Sequence, residues 1–224
     1  MKNLQENIIP SEHQNDRSVY RFDGSGIKVL FVGNSITKHA PKPEVGWTND
    51  CGMAASDIDH DYVHLLMKKI RQLDPNAAYS ICQVADLERQ YDVPQVLEKY
   101  RSAVDFGADI VIMFFGANVP ADKCEGDPAQ VKLFEQMYRR TRDMLQDGHA
   151  AVFHSQGFYI RPVLDVAKKA VSDACGDTWI SLGDIPNREE THGLFNHPGD
   201  LGMQEIADTF YAAIEPTLQA LLKK

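Results

Sequence analysis

Apolar residues are distributed along the chain in two alternating kinds of segment. The first kind is short, unbroken and rich in β-branched and aromatic side chains. It covers residues 27–33 (IKVLFVG), 79–84 (YSICQV), 108–115 (ADIVIMFF), 150–154 (AAVFH) and 178–182 (TWISL). Runs of this length read as strands buried on both faces, because a half-buried strand would alternate with polar residues. The second kind is longer and repeats its apolar positions every three or four residues. Val63, Leu66, Met67, Ile70 and Leu73 form one stripe over residues 57–73, ahead of Asp74 and Pro75. The cap and first-turn pair Asp127–Pro128 opens another, which carries Val131, Phe134, Met137, Tyr138, Thr141, Met144 and Leu145 and ends at Gly148. Residues 162–174 repeat the pattern with Gly176 as the stop. The last stripe runs through Met203, Ile206, Ala207, Phe210, Ile214 and Leu218.

Alternation of strand and helix predicts an α/β fold with a parallel sheet covered on both faces. Five strands imply a three-layer α/β/α sandwich of flavodoxin-like type, with strand order 2-1-3-4-5. In such sheets the site lies beyond the carboxyl ends of the strands. The loops after Gly33, Val84, Phe115 and His154, and the segment before the last helix, are therefore where chemistry is expected. Residues 1–25 are polar and read as an N-terminal arm or short hairpin, and residues 26–224 as one domain. A chain of 224 residues fits one large α/β domain better than two small ones.

Charge and composition narrow the classes of partner. The net charge of −9, without any run of Lys and Arg, argues against a nucleic-acid surface. No stretch is long and apolar enough to span a membrane. The first residues lack the apolar core of a secretory leader, since Ile8–Ile9 is the only apolar pair there. A cytoplasmic protein is the expectation if the sequence is complete. Cys51, Cys82, Cys124 and Cys175 are scattered without a CxxC pair, which reads as free thiols rather than a zinc or redox site. His39, His60, His64 and His154 do not form a metal motif either. His60 and His64 lie four apart on a helix but lack HExxH and a third ligand. No metal and no cofactor is expected.

Three polar residues fall at the expected edge. Ser35 stands just past the strand-ending Gly33, in Gly33-Asn34-Ser35-Ile36-Thr37. This is neither a GxSxG elbow nor a phosphate-binding loop. Asn118 follows the third strand in Gly116-Ala117-Asn118, where a side-chain amide can donate to a developing oxyanion. His197, in His197-Pro198-Gly199-Asp200, precedes the last helix, where an imidazole can take a serine proton and return it to a leaving group. Singly, each has a plainer reading: turn serine, Asx-turn asparagine, surface histidine.

Taken in order, the three blocks resemble the SGNH hydrolases, the GDSL-like lipases and esterases, over residues 27–211. Residues 33–36 are similar to that family's GDSL block, residues 116–118 to its GxN block, and residues 197–200 to its histidine block. The resemblance extends to Gly46-Trp47, to Gly52–Ser56 and to Ala85-Asp86-Leu87-Glu88-Arg89. It implies ester hydrolysis through an acyl-enzyme, with Ser35 as nucleophile and His197 as base. The oxyanion would be held by the amides of Ser35 and Ala85 and by the side chain of Asn118. The implied substrate is a small-molecule or carbohydrate ester with a short acyl group, such as an O-acetyl sugar. Trp47 could stack on such a substrate, although packing its own loop is the commoner use of a tryptophan.

Two departures from the family pattern matter. The second block has Ala85 in place of glycine, and Leu194 occupies the position of the acid three residues before the histidine. A Ser-His dyad is then expected, with a main-chain carbonyl near Leu194, or Glu189 or Glu190, orienting the imidazole. The rivals are an acyltransferase using the same serine and a catalytically silent binding module with the same fold.

Overall fold

The computed structural model describes residues 18–223. Its centre is a six-stranded sheet in the order β1-β3-β2-β4-β5-β6. The strands are β1 Val19–Phe22, β2 Lys28–Gly33, β3 Ala78–Gln83, β4 Ile110–Phe114, β5 Ala151–Ser155 and β6 Thr178–Ile180. β2 through β6 run parallel, in the order expected of the five-stranded sandwich. The sixth strand corrects that expectation. β1 falls in the segment read as an arm and pairs antiparallel with the edge of β3, from Val19 opposite Cys82 to Phe22 opposite Tyr79. It is only four residues long and surrounded by polar sequence, so it has no period to detect. Its anchors are tertiary: Val19 is buried, and the Phe22 ring stacks on Tyr79 at 4.3 Å. Residues 1–17 lie outside the described residues.

The apolar runs predict burial on both faces, and the strands divide accordingly. Val29, Phe31, Ile110, Ile112 and Phe114 face one core, shared with α1 (Tyr62–Leu73) and α6 (Asp200–Leu221). Leu30, Val32, Val111 and Met113 face the other, shared with α4 (Pro128–Gln146), α5 (Pro162–Cys175) and a run of 3-10 turns over Pro94–Phe106. Two short helices, α2 (Ala85–Arg89) and α3 (Ala121–Cys124), follow β3 and β4 at the carboxyl edge.

The helix signals read from sequence fall close to the observed ends. Asp127 accepts the amide of Ala129 and Pro128 occupies the first turn of α4. Gly176 closes α5 in the left-handed conformation. α1 starts later than the stripe suggested, because the Asp61 carboxylate accepts from the His64 amide and caps it there, after a separate 3-10 turn at Ile58–His60. All six residues of the last stripe are buried in α6. Among the described residues no helix is long and apolar enough to cross a membrane.

The aromatic junction of α1, α6 and β4 sets the depth of the first core. Phe210 is fully buried, edge-on to Phe114 at 5.3 Å and to Tyr62 at 5.6 Å. Phe210→Ala is expected to lower unfolding free energy by about 3–5 kcal/mol through lost transfer energy and the cavity left behind. A urea unfolding midpoint close to wild type would show that the junction collapses to fill the space.

Candidate active site

Ser35 is placed by a tight turn at the end of β2. The Asn34 carbonyl accepts from the amides of Thr37 (2.9 Å) and Lys38 (3.0 Å), and its side-chain oxygen accepts from the amide of Ile36 at 3.2 Å. Thr37 then turns back over Gly33 and hydrogen-bonds the Tyr62 hydroxyl at 2.8 Å. A side chain at Gly33 would collide with the Thr37 hydroxyl, so the turn needs glycine there. Across the turn, the Ser35 carbonyl accepts from the Met53 amide at 2.8 Å. Among the described residues the Ser35 amide itself has no hydrogen-bond partner, which leaves it able to donate into the cleft.

His197 reaches Ser35 from the loop before α6. Its Nε2 lies 2.8 Å from Ser35 Oγ. The loop is pinned at its base: Gly199 donates to the Thr191 carbonyl at 2.9 Å and Gly193 to the His197 carbonyl at 2.7 Å. A side chain at Gly202, in the first turn of α6, would fall on the Thr191 carbonyl, so the helix can approach this closely only with glycine there. Phe195 and Asn196 both adopt left-handed backbone, at φ 58° and 56°. That turn aims the Phe195 carbonyl back at the imidazole, 2.9 Å from Nδ1.

A carbonyl oxygen can only accept, so Nδ1 carries the proton and Nε2 is left as the acceptor facing Ser35. The Tyr159 hydroxyl, from the loop after β5, also lies 2.9 Å from Nδ1. Burial pushes the Tyr159 phenol up, so it stays neutral. Leu194 is 60 % exposed, and its own carbonyl takes the His197 amide rather than the ring. The orienting carbonyl therefore belongs to the next residue along. Among the described residues no carboxylate hydrogen-bonds the imidazole; Glu189 and Glu190 are both exposed.

Asn118 lies in the same cleft as Ser35, His197 and Ala85. Its amide nitrogen donates to Glu88, and its oxygen accepts from Arg89 at 3.4 Å. The Ala85 amide, expected as an oxyanion donor, is instead engaged by the side-chain oxygen of Gln83 at 3.1 Å. It becomes available only when Gln83 moves aside. Trp47 does not line this cleft. It is 2 % exposed, its indole nitrogen donates to the His39 carbonyl at 3.1 Å, and it anchors its loop without offering a ring face to the cleft.

The loop carrying Asn118 is gripped from both sides by charged side chains, of which Lys168 and Glu88 are buried. The Arg161 guanidinium donates to the carbonyls of Gly116, Ala117 and Val119, with Glu125 as its counter-ion. Lys168, 1 % exposed, donates to the carbonyls of Ser155 (3.1 Å) and Phe115 (3.4 Å) and pairs with Asp165 at 2.7 Å. Burial lowers its pKa, opposed by the Asp165 charge. On the opposite side Glu88, fully buried, accepts from the Gly116 amide. Glu88, Arg161, Gln83 and Tyr159 were not singled out from sequence. Burial of a charged residue at the end of a short helix leaves no periodic trace, and the partner of Tyr159 is distant in the chain.

The cleft is about 320 Å³ and mostly polar at its rim, with Ser18, Gln83, Asp86 and Arg89 around the Ser35–His197 pair. The histidines considered for a metal have other partners. His60 pairs with Asp57 at 2.7 Å, and His64 with Asp61 at 2.7 Å and the Tyr79 hydroxyl. His154 is fully buried between the Tyr138 hydroxyl (3.0 Å) and Asp177 (2.9 Å), which Arg142 also grips. The described residues hold no cluster of three or more metal-ligating side chains. Its four cysteines are unpaired.

Comparison with solved structures places the fold. The acetylxylan esterase Axe2 of Geobacillus stearothermophilus, as a catalytic mutant, matches 85 % of this chain and 95 % of its own, at 16 % identity and a TM-score of 0.58. A family two carbohydrate esterase from Clostridium thermocellum, solved with cellohexaose, matches 86 % of this chain and 65 % of its own, at 16 % identity and TM-score 0.56. A GDSL-like lipase from Bacteroides uniformis matches 86 % and 97 %, at 13 % identity and TM-score 0.52. The chain thus has the α/β fold of the SGNH and GDSL-like hydrolases. No family model and no curated protein sequence matches it.

Burial holds the His197 pKa below the ordinary imidazole value, with the Phe195 carbonyl pulling the other way. The neutral base therefore accumulates as pH rises through a value below about 6.5. For any reaction that uses His197 as base, the acid limb of kcat/KM is expected below that pH. Tyr159→Phe removes one acceptor from the imidazolium and should move the limb to still lower pH. The kcat should drop by less than about 10²-fold, the low end for acid–base assistance, because the Phe195 carbonyl still fixes the tautomer. An unmoved limb would mean that the hydroxyl does not interact with Nδ1.

Proposed function

We propose that this protein is a serine esterase that cleaves a short acyl ester, an O-acetyl group on a carbohydrate, through an acyl-enzyme. The observation that carries the reading is the 2.8 Å contact from Ser35 Oγ to an imidazole nitrogen whose opposite nitrogen is committed as a donor. Ser35 Oγ attacks the ester carbonyl while His197 Nε2 takes its proton. The oxyanion that forms is met by the Ser35 amide and by the Asn118 hydrogen not used on Glu88. Collapse breaks the bond to the alcohol, which leaves with the proton from His197. Water, deprotonated by the same nitrogen, then attacks the acyl carbonyl and releases the acid and free Ser35. The dyad works without a carboxylate because a main-chain carbonyl supplies the tautomer control that an acid gives in a triad.

Two things support the substrate class. The rim offers side chains that hydrogen-bond hydroxyls rather than an apolar slot for a long acyl chain. Solved structures with this fold include an acetylxylan esterase and an esterase active on acetylated mannans. The partner is then a small or carbohydrate ester, in a protein expected in the cytoplasm.

The decisive experiment pairs turnover with labelling. Ser35→Ala is expected to abolish hydrolysis of p-nitrophenyl acetate and to block labelling by a fluorophosphonate probe, with a melting temperature close to wild type. A folded wild-type protein that the probe does not label would instead be a silent binding module. In the same assay, Glu189→Gln and Glu190→Gln should each leave kcat within a few-fold of wild type. A loss of about 10³ or more in either, the scale of a missing triad acid, would replace the carbonyl by a carboxylate as orienter.

A further inference from the structure

We propose that Glu88 is the positioning residue of the oxyanion donor: its buried carboxylate decides which edge of the Asn118 amide faces Ser35. The proposal rests on the esterase reading above and names the residue that makes its oxyanion hole work. Glu88 is fully buried and gathers three donors from two segments. These are the Asn34 side-chain amide at 2.8 Å, the Gly116 backbone amide and the Asn118 side-chain amide. Asn34 shapes the turn that presents Ser35, and Gly116 begins the loop that presents Asn118. One carboxylate therefore spans the nucleophile turn and the oxyanion loop.

The chemistry of the three contacts is one-sided. An ionised carboxylate only accepts hydrogen bonds. A primary amide can turn either edge towards a neighbour, and for oxyanion stabilisation only the nitrogen edge is useful. If Asn118 turned its oxygen to Glu88, two acceptors would meet at a fully buried carboxylate with no proton between them. Arg89 biases the amide the same way, because its guanidinium only donates and sits 3.4 Å from the Asn118 oxygen. The nitrogen has two hydrogens. Glu88 takes one, and the second is left for the cleft.

Glutamine at position 88 keeps the volume but presents an NH2 group to one of three donors. Asn34 and Gly116 share one carboxylate oxygen and Asn118 has the other, so the NH2 group falls to Asn118, whose amide must turn over to accept from it. The test is a kinetic cycle on p-nitrophenyl acetate with Glu88→Gln, Asn118→Ala and the double variant, each checked for a cooperative thermal transition. Glu88→Gln should lower kcat roughly 10²-fold, the scale of losing one oxyanion donor, with KM within about threefold. Added to Asn118→Ala it should cost less than about threefold more, because both changes remove one interaction. If Glu88→Gln does not fold, the cycle is run with Glu88→Asp, which keeps the acceptor but withdraws it by one methylene, and the same non-additivity is expected. Wild-type kcat in the folded position-88 variant, or a full multiplicative loss in the double variant, would overturn the proposal. Failure of the esterase reading is separate: it appears as an unlabelled wild-type Ser35 and removes this inference with it.

Discussion

The hydrogen bond between His197 Nδ1 and the Phe195 carbonyl is the contact on which the geometry of the cleft depends. A neutral imidazole has one donor and one acceptor, and a carbonyl can meet only the donor. Once Nδ1 is committed, Nε2 has a lone pair 2.8 Å from Ser35 Oγ, whatever the pH above its pKa. The rest of the fold serves to bring these two short segments together. The turn after β2 fixes the serine, and the packing of α6 against Thr191 through Gly202 fixes the histidine loop. Among the described residues the imidazole itself is oriented without a carboxylate.

Much of this was legible in the sequence, for identifiable reasons. Buried parallel strands need apolar residues on both faces, and helices need stripes and caps, so the elements follow from periodicity and the order β3-β2-β4-β5-β6 from the flavodoxin-like class that their alternation implies. Ser35, Asn118 and His197 were read at the sheet's carboxyl edge, and the structure brings all three to one cleft. β1 was not legible, since a four-residue edge strand owes its place to the exposed edge of β3 and to one aromatic stack. Trp47 stayed ambiguous because a tryptophan in a glycine-containing loop has the same signature whether it faces substrate or core.

The details of the hydrogen bonding were the least legible part. A backbone amide is present at Ala85 whatever the residue type, but whether it is free depends on Gln83, two residues earlier in a strand and with no composition signal. Glu88 lies in a segment of alternating charge and apolarity, ADLER, that would suit any solvated helix turn. Its burial follows from tertiary closure by Asn34 on one segment and by Gly116 and Asn118 on another. The same limit applies to the orienting carbonyl. Position 194 was the natural candidate by family spacing, yet the left-handed turn at Phe195 and Asn196 shifts the effective carbonyl by one residue.

That turn also explains why a leucine can stand at position 194. A non-glycine residue in left-handed backbone is disfavoured by roughly 1–2 kcal/mol, somewhat less for asparagine. Two in succession are therefore a local cost of a few kcal/mol that some other contact must offset. The contacts available are the paired hydrogen bonds at Gly193 and Gly199, the His197 amide on Leu194, and the imidazole on Phe195. At about 1 kcal/mol net each, these four are of the size required. An aspartate at position 194 would have to swing its carboxylate into the space where the Phe195 carbonyl and the Tyr159 hydroxyl already meet Nδ1. In this loop the carbonyl and the acid are alternatives for one place. The exposed leucine is the residue expected where backbone has taken it.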